Sequence, residues 1–296
     1  MTRKPVKRIL CPIDFSDFSG RAYKYAASLA QRYGAKLFVQ HVVEDWRYPC
    51  ANFVTSFEQY DAFCKCLFHQ GRERLQEFAR DHAREGWRPE CVTYAGTAAD
   101  CILSFAERED VSLIVMGTHG FRGADRIMLG SVTEAVLRKA SCPVLVVHNE
   151  PQKPLAVPRG PDEVQLHQIL CCMDFSPFAN DACEYALSLA KEYKATLTLV
   201  HVLDGWITRP HRGESIRQAE EQLEKFFPAK SIQGCSVHAV VRHGAAYNEI
   251  GHLACQINAD LIVMAVRGRN TLDDKIFGST TYRVIQLGDC PVLAIH

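Results

Sequence analysis

The sequence predicts an α/β fold: two tandem doubly wound domains, each a five-stranded parallel sheet with helices on both faces. Three observations carry this expectation. Short runs of Ile, Leu and Val alternate with amphipathic stretches, the whole pattern occurs twice, and a segment with four prolines separates the copies. Strands that are apolar on both faces, each followed by a helix, need cover on both sides, and a parallel sheet between helix layers supplies it.

In the first copy the expected strands are Arg8–Ile13, Lys36–Val43, Glu90–Tyr94, Ser112–Met116 and Pro143–His148. The expected helices are Ser19–Tyr33, Phe57–Glu85, Ala98–Arg108 and Ser131–Lys139. Helix one shows its buried face through Ala22, Tyr25, Ala26, Leu29 and Ala30, a helical period. The second helix carries the charged run from Gln70 to His82, which reads as an ordinary solvated face. Ser131 opens the fourth helix. The last strand of each copy follows a Cys-Pro step, Cys142-Pro143 and Cys290-Pro291. An apolar strand left at a sheet edge invites aggregation, so these two strands are expected to pair with each other, making an intrachain pseudo-dimer.

The duplication is legible residue by residue. Ile9-Leu-Cys-Pro-Ile-Asp-Phe-Ser16 matches Ile169-Leu-Cys-Cys-Met-Asp-Phe-Ser176 at an offset of 160, which also pairs His41-Val42 with His201-Val202 and Trp46 with Trp206. After a twelve-residue deletion the offset is 148, pairing Met116 with Met264, Gly120 with Gly268 and His148 with His296. A period near 150 residues is too long for a solenoid unit and means whole domains. The expected domains are 1–148 and 164–296, joined by a stiff linker at 149–163.

Composition bounds the function. Apolar residues make up 47% and charged residues 23%, with formal net charge zero, which argues against a nucleic-acid surface or an anionic-membrane anchor. No apolar run is long enough to span a bilayer, and the basic N-terminus leads into a strand, not a signal-peptide core. The expected location is cytoplasmic. Thirteen cysteines in such a chain imply free thiols. Cys11, Cys101, Cys171, Cys172, Cys183 and Cys255 sit in apolar strands or helices, where a thiol behaves as a small buried hydrophobe. Cys50, Cys64, Cys66 and His69 form a local cluster that a metal or redox role would use, although Cys-x-Cys is not the usual zinc spacing.

The chemistry concentrates after the fourth strand. Met116-Gly117-Thr-His-Gly120, nine residues, then Gly130-Ser131-Val132 sends a buried strand into a glycine loop and on into a helix. Glycine N–H groups and a helix N-terminus together make a phosphate cradle. In open α/β sheets ligands sit beyond the carboxyl ends of the strands, where strand order reverses. There Asp14 would accept ribose hydroxyls, backbone near Ile13 and Val42 would read an adenine edge, and Arg122 and Arg126 would add charge. The second copy keeps Asp174, Val202, Gly268, Gly278 and Ser279, but Ala265 stands where the first copy has Gly117. If that position has positive φ or a tight backbone approach, the methyl costs about 1 kcal/mol or more; if it is still in the strand, alanine costs little. His41 and His201, on apolar strands, read as hydrogen-bonded histidines with no ligand role, and Asp14 has an alternative reading as a turn or cap residue. His119 reads as a loop residue near phosphate. There is no Walker A lysine, no Gly-x-Gly-x2-Gly turn and no Gly-x-Ser-x-Gly elbow.

These motifs, together with Cys-Pro-Val-Leu-Val-Val, resemble the universal stress protein family, in tandem form. The resemblance implies an adenine nucleotide alpha hydrolase-like fold and, from the glycine motif, the subgroup that binds ATP. Carried onto this chain it implicates Pro12, Asp14, Val42, Gly117, Gly120, Gly130, Ser131 and Val132. Ile13 and Met116 flank them, and the second copy's counterparts are those named above. The expected function is a cytoplasmic stress-response protein that holds ATP, with Mg²⁺ as a candidate accompanying ion, and acts as a sensor or regulator. No general base is identifiable, so ATP turnover is expected to be slow or absent. Homodimerisation and protein partners of unknown identity are expected, nucleic acid and membrane are not. The alternatives are a nucleotide-free interaction scaffold and a metal- or redox-linked stress module.

Overall fold

The computed structural model describes residues 6–44, 57–82, 88–118, 129–148, 164–203, 212–226, 235–267 and 278–296. The chain forms two compact units, residues 5–142 and 143–296. The first contains β1 (Arg8–Pro12), α1 (Asp17–Tyr33), β2 (Lys36–Val43), α2 (Phe57–Asp81), β3 (Glu90–Ala95), α3 (Ala98–Arg108), β4 (Leu113–Gly117) and α4 (Ser131–Lys139). Its four strands are parallel, in the order β3-β2-β1-β4.

The second unit begins with the last strand of the first sequence copy, β5 (Val144–Val147). It continues with β6 (Gln168–Cys172), α5 (Pro177–Tyr193), β7 (Thr196–Leu203), α6 (Arg212–Phe226) and β8 (Val237–His243). It ends with α7 (Ala246–Gln256), β9 (Leu261–Ala265), α8 (Ser279–Leu287) and β10 (Val292–Ile295). Its order is β5-β10-β9-β6-β7-β8. The five strands of the second copy are parallel. β5 pairs antiparallel with β10 through Leu145↔Leu293 and its neighbours, so the two Cys-Pro strands do cover one another.

Alternation along β2 shows the helix layers. Gln40, wholly buried, donates its side-chain amide to Cys101 O of α3 at 3.2 Å. The next residue, His41, faces α2: a Cβ on Gly71 would lie 3.1 Å from its Cδ2 and 2.7 Å from Val43 Cγ2. Glycine is therefore needed where α2 crosses β2. Successive strand residues point to opposite faces, so α2 and α3 lie on opposite sides of the sheet.

The helix ends follow local chemistry. Ser16 and Ser176 cap α1 and α5 by accepting from Ser19 N and Ala179 N. The first helix then stops at Gly34 in the left-handed region (φ 60°), as glycine allows. Lys194 takes that conformation in the second copy (φ 54°), at a cost glycine would not bear.

Among the described residues no helix is long and apolar enough to cross a membrane. The described cysteines are free thiols. Cys11, Cys171 and Cys183 are buried as expected, and Cys101 and Cys172 are half-buried. Cys255 corrects its expectation. α7 turns Ile250, Leu253 and Ala254 inward, and the residue after Ala254 lies about 100° further round the helix, which leaves this thiol exposed.

Candidate functional site

The carboxyl ends of β1 and β4 lie side by side, because Ile9 and Leu10 register with Leu113 and Ile114. The turn after β1 carries Asp14. Its Oδ1 accepts from Ser16 N at 3.1 Å and from Ser16 Oγ at 2.6 Å. Asp174 accepts from Ser176 N at 2.9 Å in the second copy. The turn reading of this aspartate is thus realised in both copies. Between aspartate and serine, Phe15 and Phe175 adopt φ of 65° and 59°. A phenylalanine in the left-handed region is strained by about 1–2 kcal/mol, and here contacts hold it. Phe15 lies 4.6 Å from the His41 ring and under the Arg74 guanidinium at 4.2 Å, and Phe175 lies 4.4 Å from the His201 ring.

His41 and His201 are hydrogen-bonded, as expected. Nδ1 of each lies 2.8 Å and 2.7 Å from Ile13 O and Met173 O. A carbonyl only accepts, so Nδ1 bears the proton. Burial holds the His41 pKa below the ordinary imidazole value, against the opposing Ile13 bond, with smaller contributions from Arg74 and Asp14. This neutral ring fixes the backbone of Ile13, whose own N–H donates to Gln40 O at 2.7 Å. The histidine therefore positions the end of β1.

At Gly117 the structure realises the strand position and the close approach, and not the positive φ. Gly117 is the last residue of β4, buried, with no positive φ. Its glycine character answers a close approach: a Cβ would stand 2.8 Å from Phe18 Cβ, 3.0 Å from Phe18 C and 3.1 Å from Phe18 O, on the first turn of α1. Ala265 likewise ends β9 and is buried.

Gly130 also needs correction. Its N–H is not available to an anion, because it donates to Thr118 O at 2.9 Å, and Gly278 N–H donates to Val266 O at 2.9 Å. Thr133 Oγ1 adds a bond to Gly117 O at 2.8 Å, and Thr281 Oγ1 one to Ala265 O at 2.9 Å. Two bonds thus clamp each helix start onto the strand end. The N–H groups left at the helix mouth are those of Ser131 and Val132, and of Ser279 in α8, which have no acceptor within their helices.

The structure brings Pro12, Ile13, Asp14, Met116, Gly117, Gly130, Ser131 and Val132 to this edge, with Val42 near the end of neighbouring β2. Asp174, Val202, Gly278 and Ser279 take the same places in the second copy. Gly120, His119, Arg122, Arg126, Gly268, Trp46, Trp206 and Cys50 lie outside the described residues. Among the described residues no group of three or more His, Cys, Asp or Glu is placed to hold a metal, Cys64, Cys66 and His69 included. Sequence reasoning missed Phe18 and Thr133 as site-shaping residues. Their recurrence as Phe178 and Thr281 was the available signal.

Comparison with known proteins gives a consistent picture. The model of the universal stress protein family matches residues 5–148 and again 165–296. Universal stress protein MJ0531 of Methanocaldococcus jannaschii is 35% identical over 149 residues, covering 50% of this chain and 84% of that protein. Universal stress protein YxiE of Bacillus subtilis is 31% identical over 144 residues, covering 47% and 97%. The crystal structure of a universal stress protein from Archaeoglobus fulgidus superposes with a TM-score of 0.69 at 25% identity, covering 98% of this chain and 96% of the other.

Proposed function

The chain belongs to the universal stress protein family, and from that premise we propose that it is a stress-response protein holding ATP at the carboxyl edge of its first copy. The observation that carries this reading is the clamp of Gly130 N on Thr118 O and Thr133 Oγ1 on Gly117 O. It fixes a helix N-terminus at the strand end beside the Asp14 turn, where strand order reverses. Ser131 and Val132 N–H groups meet the phosphates there. A carboxylate offers about four acceptor positions, so Asp14 would take a ribose hydroxyl beside the bonds it accepts from Ser16. Backbone near Ile13 and Val42 borders the base.

The site supports holding nucleotide more than spending it. Asp14 is engaged in its turn, His41 is neutral and bonded to backbone, and neither has the placement of a general base. Mg²⁺, if it accompanies ATP, would find its ligands mostly on the phosphates. The second copy keeps the turn and the clamp, so its site is a second candidate. Regulation would follow from a shape or partner preference that differs between loaded and empty states.

The test is nucleotide stoichiometry. Nucleotides released from denatured protein are identified by mass spectrometry and titrated back by calorimetry, for the parent and for Gly130→Val. Adenylate at one or two per chain, lost in a folded Gly130→Val protein, is the expected result. A well-folded parent with no adenylate affinity refutes the reading and leaves the docking scaffold.

A further inference from the structure

The first unit has a second recess, away from the carboxyl edge. It is a cleft of about 240 Å³ lined by Phe68, Arg72, Gln76, Cys91 and Thr93. The three helical residues are spaced by four and so share one face of α2. The two strand residues are spaced by two and so share one face of β3. β3 ends the strand order of its unit, and among the described residues only β2 pairs with it. Every residue of β3 retains exposure, whereas β4 is buried throughout.

The backbone beside the cleft is also oriented for pairing. Gly96 N donates to Val43 O at 3.0 Å. Alternate residues of a parallel strand bond to the same neighbour, so the even-numbered residues of β3 serve β2. The N–H and C=O groups of Cys91 and Thr93 therefore face away from β2, next to the side chains that line the cleft. Arg72, Gln76 and Thr93 make no side-chain hydrogen bond or ion pair among the described residues. A cation, an amide and a hydroxyl thus stand together with unused hydrogen-bonding capacity.

The second copy lacks this chemistry. Leu75 and Leu223, both wholly buried, are counterparts at the offset of 148. The same offset puts Glu220 at the place of Arg72, Glu224 at Gln76, Ala239 at Cys91 and Val241 at Thr93. One set is cationic and polar, the other anionic and apolar, so the fold does not dictate the chemistry of this lining.

We propose that the cleft between α2 and the outer edge of β3, which no described strand covers, docks an extended acidic segment of a partner protein. The segment adds as a strand to β3, bonds to the backbone of Cys91 and Thr93, and sets a carboxylate on Arg72. Backbone pairing supplies affinity, as in other strand additions, and the pocket beside it supplies selectivity. Gln76 and the Thr93 hydroxyl complete the carboxylate's contacts, and Phe68 covers an apolar neighbour.

The test uses a fluorescein-labelled extended peptide, Thr-Val-Glu-Val-Thr, and its Glu-to-Lys counterpart, titrated by anisotropy against the full chain. The glutamate peptide should bind about tenfold tighter than the lysine peptide. Arg72→Glu should reverse that preference. Thr93→Pro removes the outward N–H, which edge strands tolerate, together with the hydroxyl, and should weaken the glutamate peptide at least about fivefold at an unchanged melting temperature, whereas Thr93→Val, which removes the hydroxyl alone, should weaken it less. Equal affinities for the two peptides, no binding of either, or glutamate-peptide affinity unchanged by Arg72→Glu would overturn the proposal. Self-association of the chain alone that Arg72→Glu abolishes would also overturn it, by making a second copy the occupant.

Discussion

Gly117→Ala tests how the site is built. The new methyl carbon meets Phe18 Cβ at 2.8 Å and the Phe18 backbone at 3.0 and 3.1 Å, against about 3.5–4.0 Å for an unstrained carbon contact. Backbone atoms cannot rotate away, so the first turn of α1 must retreat by about 0.5–1 Å. Overpacking of this kind costs about 1–3 kcal/mol. For a unit of this size that is a fall in melting temperature of about 4–12 °C. Calorimetry on the full chain should show the fall in one transition if the units unfold separately. Because the displaced helix turn follows directly on the Asp14 turn through the Ser16 cap, the ATP affinity proposed above should drop with it. Ala265→Gly should also destabilise, by about 1–2 kcal/mol, from a lost buried methyl and added chain entropy. A Gly117→Ala protein that melts within about 1 °C of the parent and binds nucleotide equally well would refute the argument from close approach.

Other outcomes follow from the same geometry. Ser16→Ala and Ser176→Ala each remove a helix cap and should cost about 1 kcal/mol in denaturant titrations. His296 has its pKa pushed down to about 4, by burial and then by Arg267. Its folded value lies below its unfolded one, so its stability contribution is complete above about pH 6.5 and is lost as pH falls toward 4. Burial likewise lowers His41, adding to the same acid loss, and His296→Gln should flatten part of the melting-temperature profile between pH 6.5 and 4. Brief alkylation of native protein, read by mass spectrometry, should mark exposed Cys66 and Cys255 first. Cys11 is wholly buried, and burial pushes its thiol pKa up, so it should react only after unfolding, as should buried Cys171 and Cys183.

Much of this fold was legible because its signals are local or repeated. β2, α3 and α4 begin and end where hydrophobic period, caps and the Cys-Pro step place them. The site's neighbourhood was legible through the Gly117–Ser131 pattern, but its atomic roles were not. A glycine code reads the same whether it answers positive φ, anion approach or helix packing, and only Phe18 at contact distance selects packing for Gly117. The N–H of Gly130 looked available until its acceptor, Thr118 O, was in view. Cys255 shows the same limit, since an apolar stretch does not say which side of a helix faces water.

Comparing the copies separates what the architecture needs from what each half adds. Some roles are kept while the residues change. Ser112 Oγ accepts from Lys7 and Arg8 N–H where Asp260 Oδ2 accepts from His167 and Gln168 N–H. Arg108 on α3 donates to Tyr94 on β3, whereas in the second copy Arg242 on β8 donates to Gln256 on α7. Donor and acceptor have exchanged elements and the strand–helix bond survives, which is the mark of a structural constraint met by any suitable pair. The Asp-Phe-Ser turn, the strand-bound histidine and the threonine clamp instead keep their residue types in both halves. Positive φ at phenylalanine is retained twice despite its cost, and strain that persists needs a geometry worth holding. The charge at the α2 edge does the opposite, from Arg72 to Glu220. A reversal on an open edge changes what can dock without disturbing the sheet. The duplicated chain thus keeps one edge geometry in both halves and lets the other present two different sets of side chains.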